Sequence, residues 1–349
     1  MAKIVSRVAV VQAAPAYLDL EGGVQKTVAL MEEAAAGGAK MVAFPECWIP
    51  GYPFWAWLDS PAWGMQFVGR HFESCPTVDG AEVEMIAAAA ARNRIWVSLG
   101  FSERSAGSLY IAQLLISDTG ELVHARRKLK ATHVERTIFG EGDGSDLRVH
   151  KTPLGSIGSL SCWEHLNPLT KYAMYAQDEQ IHIGAWPSFS IYTGKAFALG
   201  PVVNTAISRV YAVEGQCFVL APCGVVSPAI IEMMCDTDAK RDLLRLGGGY
   251  AMIYAPDGSE MVEPLSSTDE GLLYADLDLS LIAYAKAAAD PTGHYARPDV
   301  ARLLFNPAPL ARVEKLSGGS VSRSHLHVFN NIEPAHRSIG DENFEPVVL

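Results

Sequence analysis

Ile157-Gly158-Ser159-Leu160-Ser161-Cys162-Trp163-Glu164-His165 is the stretch on which the reading of this 349-residue chain turns. A short apolar run stops at a cysteine, and the polar, proline-bearing Asn167-Pro168-Leu169-Thr170 follows. That pattern predicts a strand, a tight elbow and a helix. A cysteine at such an elbow lies at the mouth of a sheet, near backbone N–H groups and the positive end of a helix. Both lower a thiol pKa and favour the nucleophilic thiolate. The plainer alternative makes Cys162 one more buried, small apolar residue.

The totals bound the answer. The chain is long enough to bury a sizeable core. Hydrophobic residues make up 49% and charged residues 19%, the balance of a folded globular protein. A formal net charge of −11 with no basic run argues against nucleic acid or an anionic membrane as partner. No apolar run approaches a membrane span and no signal-peptide pattern opens the chain, so a cytoplasmic enzyme is expected. The six cysteines (Cys47, Cys75, Cys162, Cys217, Cys223, Cys235) are then expected to stay reduced. No C-x-x-C pair suggests structural zinc, and no metal or cofactor is expected.

Strand patterns at Arg7–Ala13, Met41–Phe44, Ile95–Phe101, Leu109–Ile116 and Ile181–Ala185 alternate with helical ones at Gly22–Ala36, around Ala87–Asn93 and at Val202–Glu214. This alternation predicts an α/β core covered by helices. The segment Cys47–Trp57 is too rich in proline and aromatic residues to be regular, and Val225–Gly249 reads as a surface excursion. One domain is expected over residues 1–307. Residues 308–349, with Gly318-Gly319 and His325, His327 and His336, read as an irregular arm packing on a neighbouring subunit.

Three reactive groups fall at predicted strand ends: Glu46 after Val42-Ala43-Phe44, Lys128 after the Leu122 strand, and Cys162. In sheet proteins function gathers where strands become loops. Singly, each has a structural explanation, with Glu46 as a cap and Lys128 as part of the solvated run Arg126–Lys130. Lys130 rivals Lys128, because residues two apart on a strand share a face. Glu135 could hold the lysine or pair only with Arg127 or Arg136. His165 and Glu164 look like a dyad partner or metal ligands, but orienting the helix start accounts for them. The rings Tyr52, Trp55, Trp57, Trp186, Phe189 and Phe139 could simply be core, but loops this rich in rings more often wall an apolar pocket, and Tyr52, Trp163, Trp186 and Phe189 are the substrate-binding candidates.

Phe44-Pro45-Glu46, Arg127-Lys128-Leu129-Lys130, Thr132-His133-Val134-Glu135-Arg136-Thr137 and Cys162-Trp163-Glu164-His165 together resemble the nitrilase superfamily, specifically its nitrilase branch. The likeness spans roughly residues 5 to 305. It implies a four-layer αββα sandwich that pairs into an eight-layer dimer or longer spirals, and a catalytic Glu46, Lys128, Cys162 and Glu135. Ala131 stands where related sequences often carry proline. The implied reaction is hydrolysis of an organic nitrile to acid and ammonia through a cysteine-bound intermediate. Cys162 would be the nucleophile, Glu46 the base and Lys128 the proton donor, with the Trp163 N–H assisting. A cyanide-degrading relative, an amidase or carbamoylase, and an assembly module with a vestigial triad are the alternatives.

Overall fold

The computed structural model describes residues 5–311, 313–317 and 320–323. Its strands are β1 (Val5–Ala13), β2 (Met41–Ala43), β3 (Trp96–Ser105), β4 (Ser108–Ile116), β5 (Leu122–Arg127), β6 (Phe139–Gly140), β7 (His150–Thr152), β8 (Gly155–Ser161), β9 (Ile181–Ala185), β10 (Phe218–Ala221), β11 (Cys223–Gly224), β12 (Met252–Tyr254) and β13 (Gly271–Asp278). The helices are α1 (Leu20–Ala36), α2 (Trp55–Leu58), α3 (Pro61–Glu73), α4 (Ala81–Asn93), α5 (Pro168–Tyr175), α6 (Pro201–Gly215), α7 (Pro228–Met234), α8 (Asp238–Leu243) and α9 (Leu281–Ala288).

Two sheets form. One runs β11-β1-β2-β3-β4-β5, with β13 also on β1 and β6 also on β4; the other runs β12-β10-β9-β8-β7. The period of two along β1 sorts its side chains between two cores. Val8 and Val10 join Ile157 and Ile183 of the second sheet. Ala9, Val11 and Ala13 meet Val24 and Met31 of α1 and Ile86 and Ala90 of α4. Met174 of α5 and Tyr211 and Ala212 of α6 pack on the second sheet. The layers are therefore helix, sheet, sheet, helix, as the αββα expectation has it.

Contacts divide the chain into two compact units, Met1–Ala308 and Pro309–Leu349. In the second unit the described residues include an antiparallel hairpin, Glu314–Ser317 with Ser320–Arg323. Gly318-Gly319, His325, His327 and His336 lie outside the described residues.

Three departures from the sequence reading bear on the site. Helix α3 was not expected; Ser60 caps it by accepting from the Trp63 N–H, with Pro61 at its first position. Val225–Gly249 is not a mere excursion, since it carries α7 and α8. Ile230, Met234 and Leu244 from this segment are buried against the aromatic segment of Tyr52, Phe54 and Trp57. The elbow after β8 leads first into one 3-10 turn, Cys162–Leu166, and α5 starts only at Pro168.

Candidate active site

Four strand ends supply the site. Glu46 follows β2, Lys128 follows β5, Cys162 follows β8 and Trp186 follows β9. The two sheets meet here, because Trp186 bridges to Cys223 of β11 and the Glu46 N–H donates to the Trp186 carbonyl at 3.2 Å. Gly100 in β3 lets the Glu46 turn settle on the sheet. A Cβ at that position would stand 2.1 Å from the Pro45 carbonyl oxygen.

Lys128 Nζ donates to Glu46 Oε1 and to Glu135 Oε2, both at 2.9 Å, and all three residues are buried. Lys130, the sequence rival, is exposed and pairs with exposed Glu141. Arg127 is taken by Glu103 at 2.6 Å, and Arg136 Nε donates to the Ala131 carbonyl at 3.0 Å. Neither arginine holds Glu135, which is bonded by Tyr52 Oη at 2.7 Å and the Thr132 N–H at 2.6 Å. Trp57 Nε1 in turn donates to Tyr52 Oη at 3.0 Å.

The electrostatics follow from burial. Desolvation raises the Glu46 carboxyl to about 7 against the pull of the Lys128 charge. Burial works to lower Lys128, but the charges of Glu135 and Glu46 outweigh it and hold the ammonium well above its ordinary value. Cys162 lies within the field of Glu46, Lys128 and Glu135. Its thiol is pushed well up, first by burial and then by the Glu46 charge, although Lys128 and the Trp163 N–H pull the other way. The expected lowering of this thiol by a helix start is overturned. A single 3-10 turn carries little of a full helix dipole, and desolvation wins. Burial therefore favours the neutral Cys162 thiol over the thiolate.

Cys162 adopts φ +48°, a left-handed conformation that costs a non-glycine residue energy and persists only when its surroundings enforce it. Glu164 is one enforcer, in keeping with the expectation that it orients the helix start. Its carboxylate takes Arg126 Nη2 at 2.8 Å and Nη1 at 3.0 Å, the Leu129 N–H at 2.7 Å and the Ser161 N–H at 2.8 Å. Those four bonds tie the neighbours of Lys128 to the neighbours of Cys162. The Ser161-x-x-Glu164 spacing is a local capping-box signal, whereas the Arg126 pairing, 38 residues away, has none.

Cys162 and Glu135 reach the wall of an open hollow. Tyr52, Trp163, Trp186 and Phe189 all line it. Trp57 lines it too, while Phe139 packs edge-on to His71 in the core. Ring geometry fixes the wall: Trp186 lies 5.5 Å from Phe189 and its Nε1 donates to Ser208 at 2.8 Å. Trp163 Nε1 donates to Asn204 Oδ1 at 2.9 Å. The loop Gly247–Gly248 braces the other side, accepting from the Ser188 and Ser190 hydroxyls and the Phe189 N–H. Among the described residues no cluster of three or more His, Cys, Asp or Glu side chains is arranged to hold a metal. No described helix is long and apolar enough to cross a membrane.

A two-sheet sandwich with a thiol, two carboxylates and an ammonium gathered at its strand ends is the frame of a carbon-nitrogen bond hydrolase. The family model of that name, carbon-nitrogen hydrolase, matches residues 7–287, and the chain belongs to this family. Its relatives place it in the nitrilase branch. A nitrilase of Pseudomonas syringae pv. syringae is 58% identical over 322 residues, 92% of this chain and 96% of that protein. An arylacetone-specific nitrilase of Alcaligenes faecalis is 47% identical over 331 residues, 94% of this chain and 93% of that one. Among solved structures, the C. elegans NitFhit protein superposes with a TM-score of 0.67 at 20% identity, covering 88% of this chain and 68% of its own. A carbon-nitrogen hydrolase from Helicobacter pylori G27 gives 0.67 at 18%, covering 84% and 96%. At such identities these two speak for the fold alone.

Proposed function

We propose that the chain is a nitrilase, converting an organic nitrile into its carboxylic acid and ammonia through a covalent bond to Cys162. The observation that carries this reading is the buried Lys128 held by Glu46 and Glu135 beside Cys162, against an aromatic hollow. The nitrilase names borne by relatives 58% and 47% identical support a nitrile as the substrate.

The chemistry suits the groups. Glu46 Oε2, which has no hydrogen-bond partner among the described residues, takes the proton from the Cys162 thiol. The sulfur forms a bond to the nitrile carbon and a carbon–nitrogen π pair moves onto nitrogen. The Lys128 ammonium protonates that nitrogen, leaving a thioimidate, and the Trp163 N–H eases the developing charge. The protonated Glu46 returns its proton to Lys128, 2.9 Å away, then takes one from water, which adds to the carbon, and hands it to the departing nitrogen. Ammonia leaves, and a second water releases the acid from the thioester. Glu135 keeps Lys128 charged and aimed. Tyr52, Trp163, Trp186 and Phe189 hold the substrate, and this chain's own side chains supply every proton transfer.

Self-association belongs to the same reading. α6 leaves Val202, Val210 and Val213 exposed and α5 leaves Leu169 exposed, an apolar face suited to a second copy. The six cysteines would remain free thiols in the cytoplasm. Ammonia release from a panel of aliphatic, aromatic and arylaceto-nitriles, with amides and cyanide alongside, tests the activity. Release from a nitrile, lost in Cys162→Ala, is expected; release from amides or cyanide alone would contradict it. Size-exclusion chromatography should give at least a dimer.

A further inference from the structure

Behind the Cys162 turn runs a second buried chain of polar groups that the reaction above does not use. His165 Nδ1 lies 2.5 Å from the Cys162 carbonyl oxygen, and its Nε2 lies 2.8 Å from His182 Nε2. His182 Nδ1 lies 2.8 Å from Glu179 Oε1, and Tyr211 Oη donates to Glu179 Oε2 at 2.6 Å. All four residues are at most 3% exposed. Packing fixes the rings: Tyr211 stacks on His182 at 3.6 Å, and Trp186 stacks on His165 at 5.4 Å. Gly158, opposite His182 in the β8–β9 register, clears the space, since a Cβ there would fall 2.1 Å from Glu179 Oε1.

The hydrogens of this chain can be counted. A carbonyl oxygen only accepts, so His165 Nδ1 carries a hydrogen and donates it to Cys162. The two facing Nε2 atoms share one hydrogen, and His182 Nδ1 shares one with Glu179. Three contacts thus need three hydrogens, which is the complement of two neutral imidazoles and one protonated carboxyl. Burial favours that uncharged distribution, raising Glu179 to about 8 and lowering His165 to about 3. Every donor then points the same way, from Tyr211 through Glu179, His182 and His165 to the Cys162 carbonyl. Hydrogen bonds aligned in series polarise one another. The peptide at their end is the one whose N–H, on Trp163, faces the Cys162 sulfur.

We propose that Tyr211, Glu179, His182 and His165 are positioning residues for the nucleophile. Their one-way chain of hydrogen bonds ends on the Cys162 carbonyl, holds the left-handed turn and strengthens the Trp163 N–H as a donor to charge developing beside it. The proposal deepens the nitrilase reading and rests on Cys162 as its nucleophile.

Glu179→Gln and Glu179→Met separate it from a packing role. The glutamine amide can donate to His182 and accept from Tyr211, reproducing the protonated carboxyl, whereas methionine fills the space and does neither. With the purified protein, Glu179→Gln should keep kcat within about threefold of wild type. Glu179→Met should lose about tenfold or more in kcat with KM little changed, the signature of a weakened transition-state donor. The rate of Cys162 alkylation by iodoacetamide should follow the same order. Glutamine falling as far as methionine would show that an ionised carboxylate is needed and overturn the proposal, as would full kcat in Glu179→Met. Should Glu179→Met not fold, Tyr211→Phe decides: a kcat loss of about two- to tenfold supports the chain and an unchanged kcat overturns it. If wild type turns over no nitrile, the functional reading fails by itself, and the alkylation rates still decide the chain.

Discussion

Lys128 Nζ sits 2.9 Å from Glu46 Oε1, and Glu46 Oε2 is left without a hydrogen-bond partner among the described residues. One oxygen of the carboxyl is thus spent on holding the ammonium and the other is open to accept a proton. Burial has raised this carboxyl to about 7. A base must be unprotonated to act, so kcat/KM should fall about tenfold per pH unit below about 7 and level off above it. Glu46→Gln should lower kcat by about two to four orders of magnitude while the protein stays folded. Ammonia release measured from pH 5 to 9, with far-UV circular dichroism of the variant, checks both statements.

The lysine assignment predicts a contrast between near neighbours. Lys130→Ala removes only an exposed pair with Glu141, and exposed pairs contribute about 0 to 1 kcal/mol. Its activity should stay within about twofold of wild type. Lys128→Ala leaves Glu46 and Glu135 facing each other unneutralised in the interior, which costs about 3 to 5 kcal/mol and abolishes turnover. Thermal melts and steady-state rates of both variants make the comparison. Equal losses would move the role to another residue.

How much of this was legible in the sequence differs by element. The strands that carry Glu46, Lys128 and Cys162 could be read because apolar runs ending in punctuation, such as Phe44-Pro45 and Leu160-Ser161-Cys162, are local signals. Helix α3 carries local signals as well, the Ser60-Pro61 start and Trp63, Phe67 and His71 recurring four apart, but the adjoining aromatic run masks them. The sign of the Cys162 shift is not legible at all. Sequence shows which helix follows, but not the intervening 3-10 turn or the depth of burial. The Glu164–Arg126 clamp and the Tyr211-to-His165 chain join residues brought together by the packing of separate elements. Their chemistry exists only once the sheets meet.

Gly100→Ala tests how the Glu46 turn is held. Its Cβ would stand 2.1 Å from the Pro45 oxygen and 3.0 Å from the Glu46 Cα, both backbone atoms that cannot swing aside. Overpacking of this kind costs about 1 to 3 kcal/mol, and here the atoms that must move carry the base. A lower melting temperature with a kcat loss exceeding any change in KM is expected. Wild-type kinetics in this variant would mean that the Glu46 turn tolerates displacement.

Glu179 makes a prediction about stability. Its folded-state carboxyl is raised from 4.5 to about 8 by burial. The unfolded chain therefore releases this proton above about 4.5 while the folded protein keeps it. The stability this group contributes is fully present below about 4.5, falls as pH rises, and is gone by about 8. The slope is about 1.4 kcal/mol per pH unit for one proton. Glu179→Gln lacks the titration, so its stability relative to wild type should improve steadily between pH 5 and 8 in denaturant unfolding. Parallel curves for the two proteins would place an ionised carboxylate at this position.

The claim on which the rest depends is that Cys162 forms the covalent bond. Rapid acid quenching during turnover of a nitrile, followed by peptide mass analysis, measures it directly. The peptide containing Cys162 is expected to carry the mass of the substrate as a thioimidate or its acyl group, and Cys162→Ala to show neither adduct nor ammonia. An adduct on one of the other five cysteines, or ammonia released by Cys162→Ala at the wild-type rate, would contradict it.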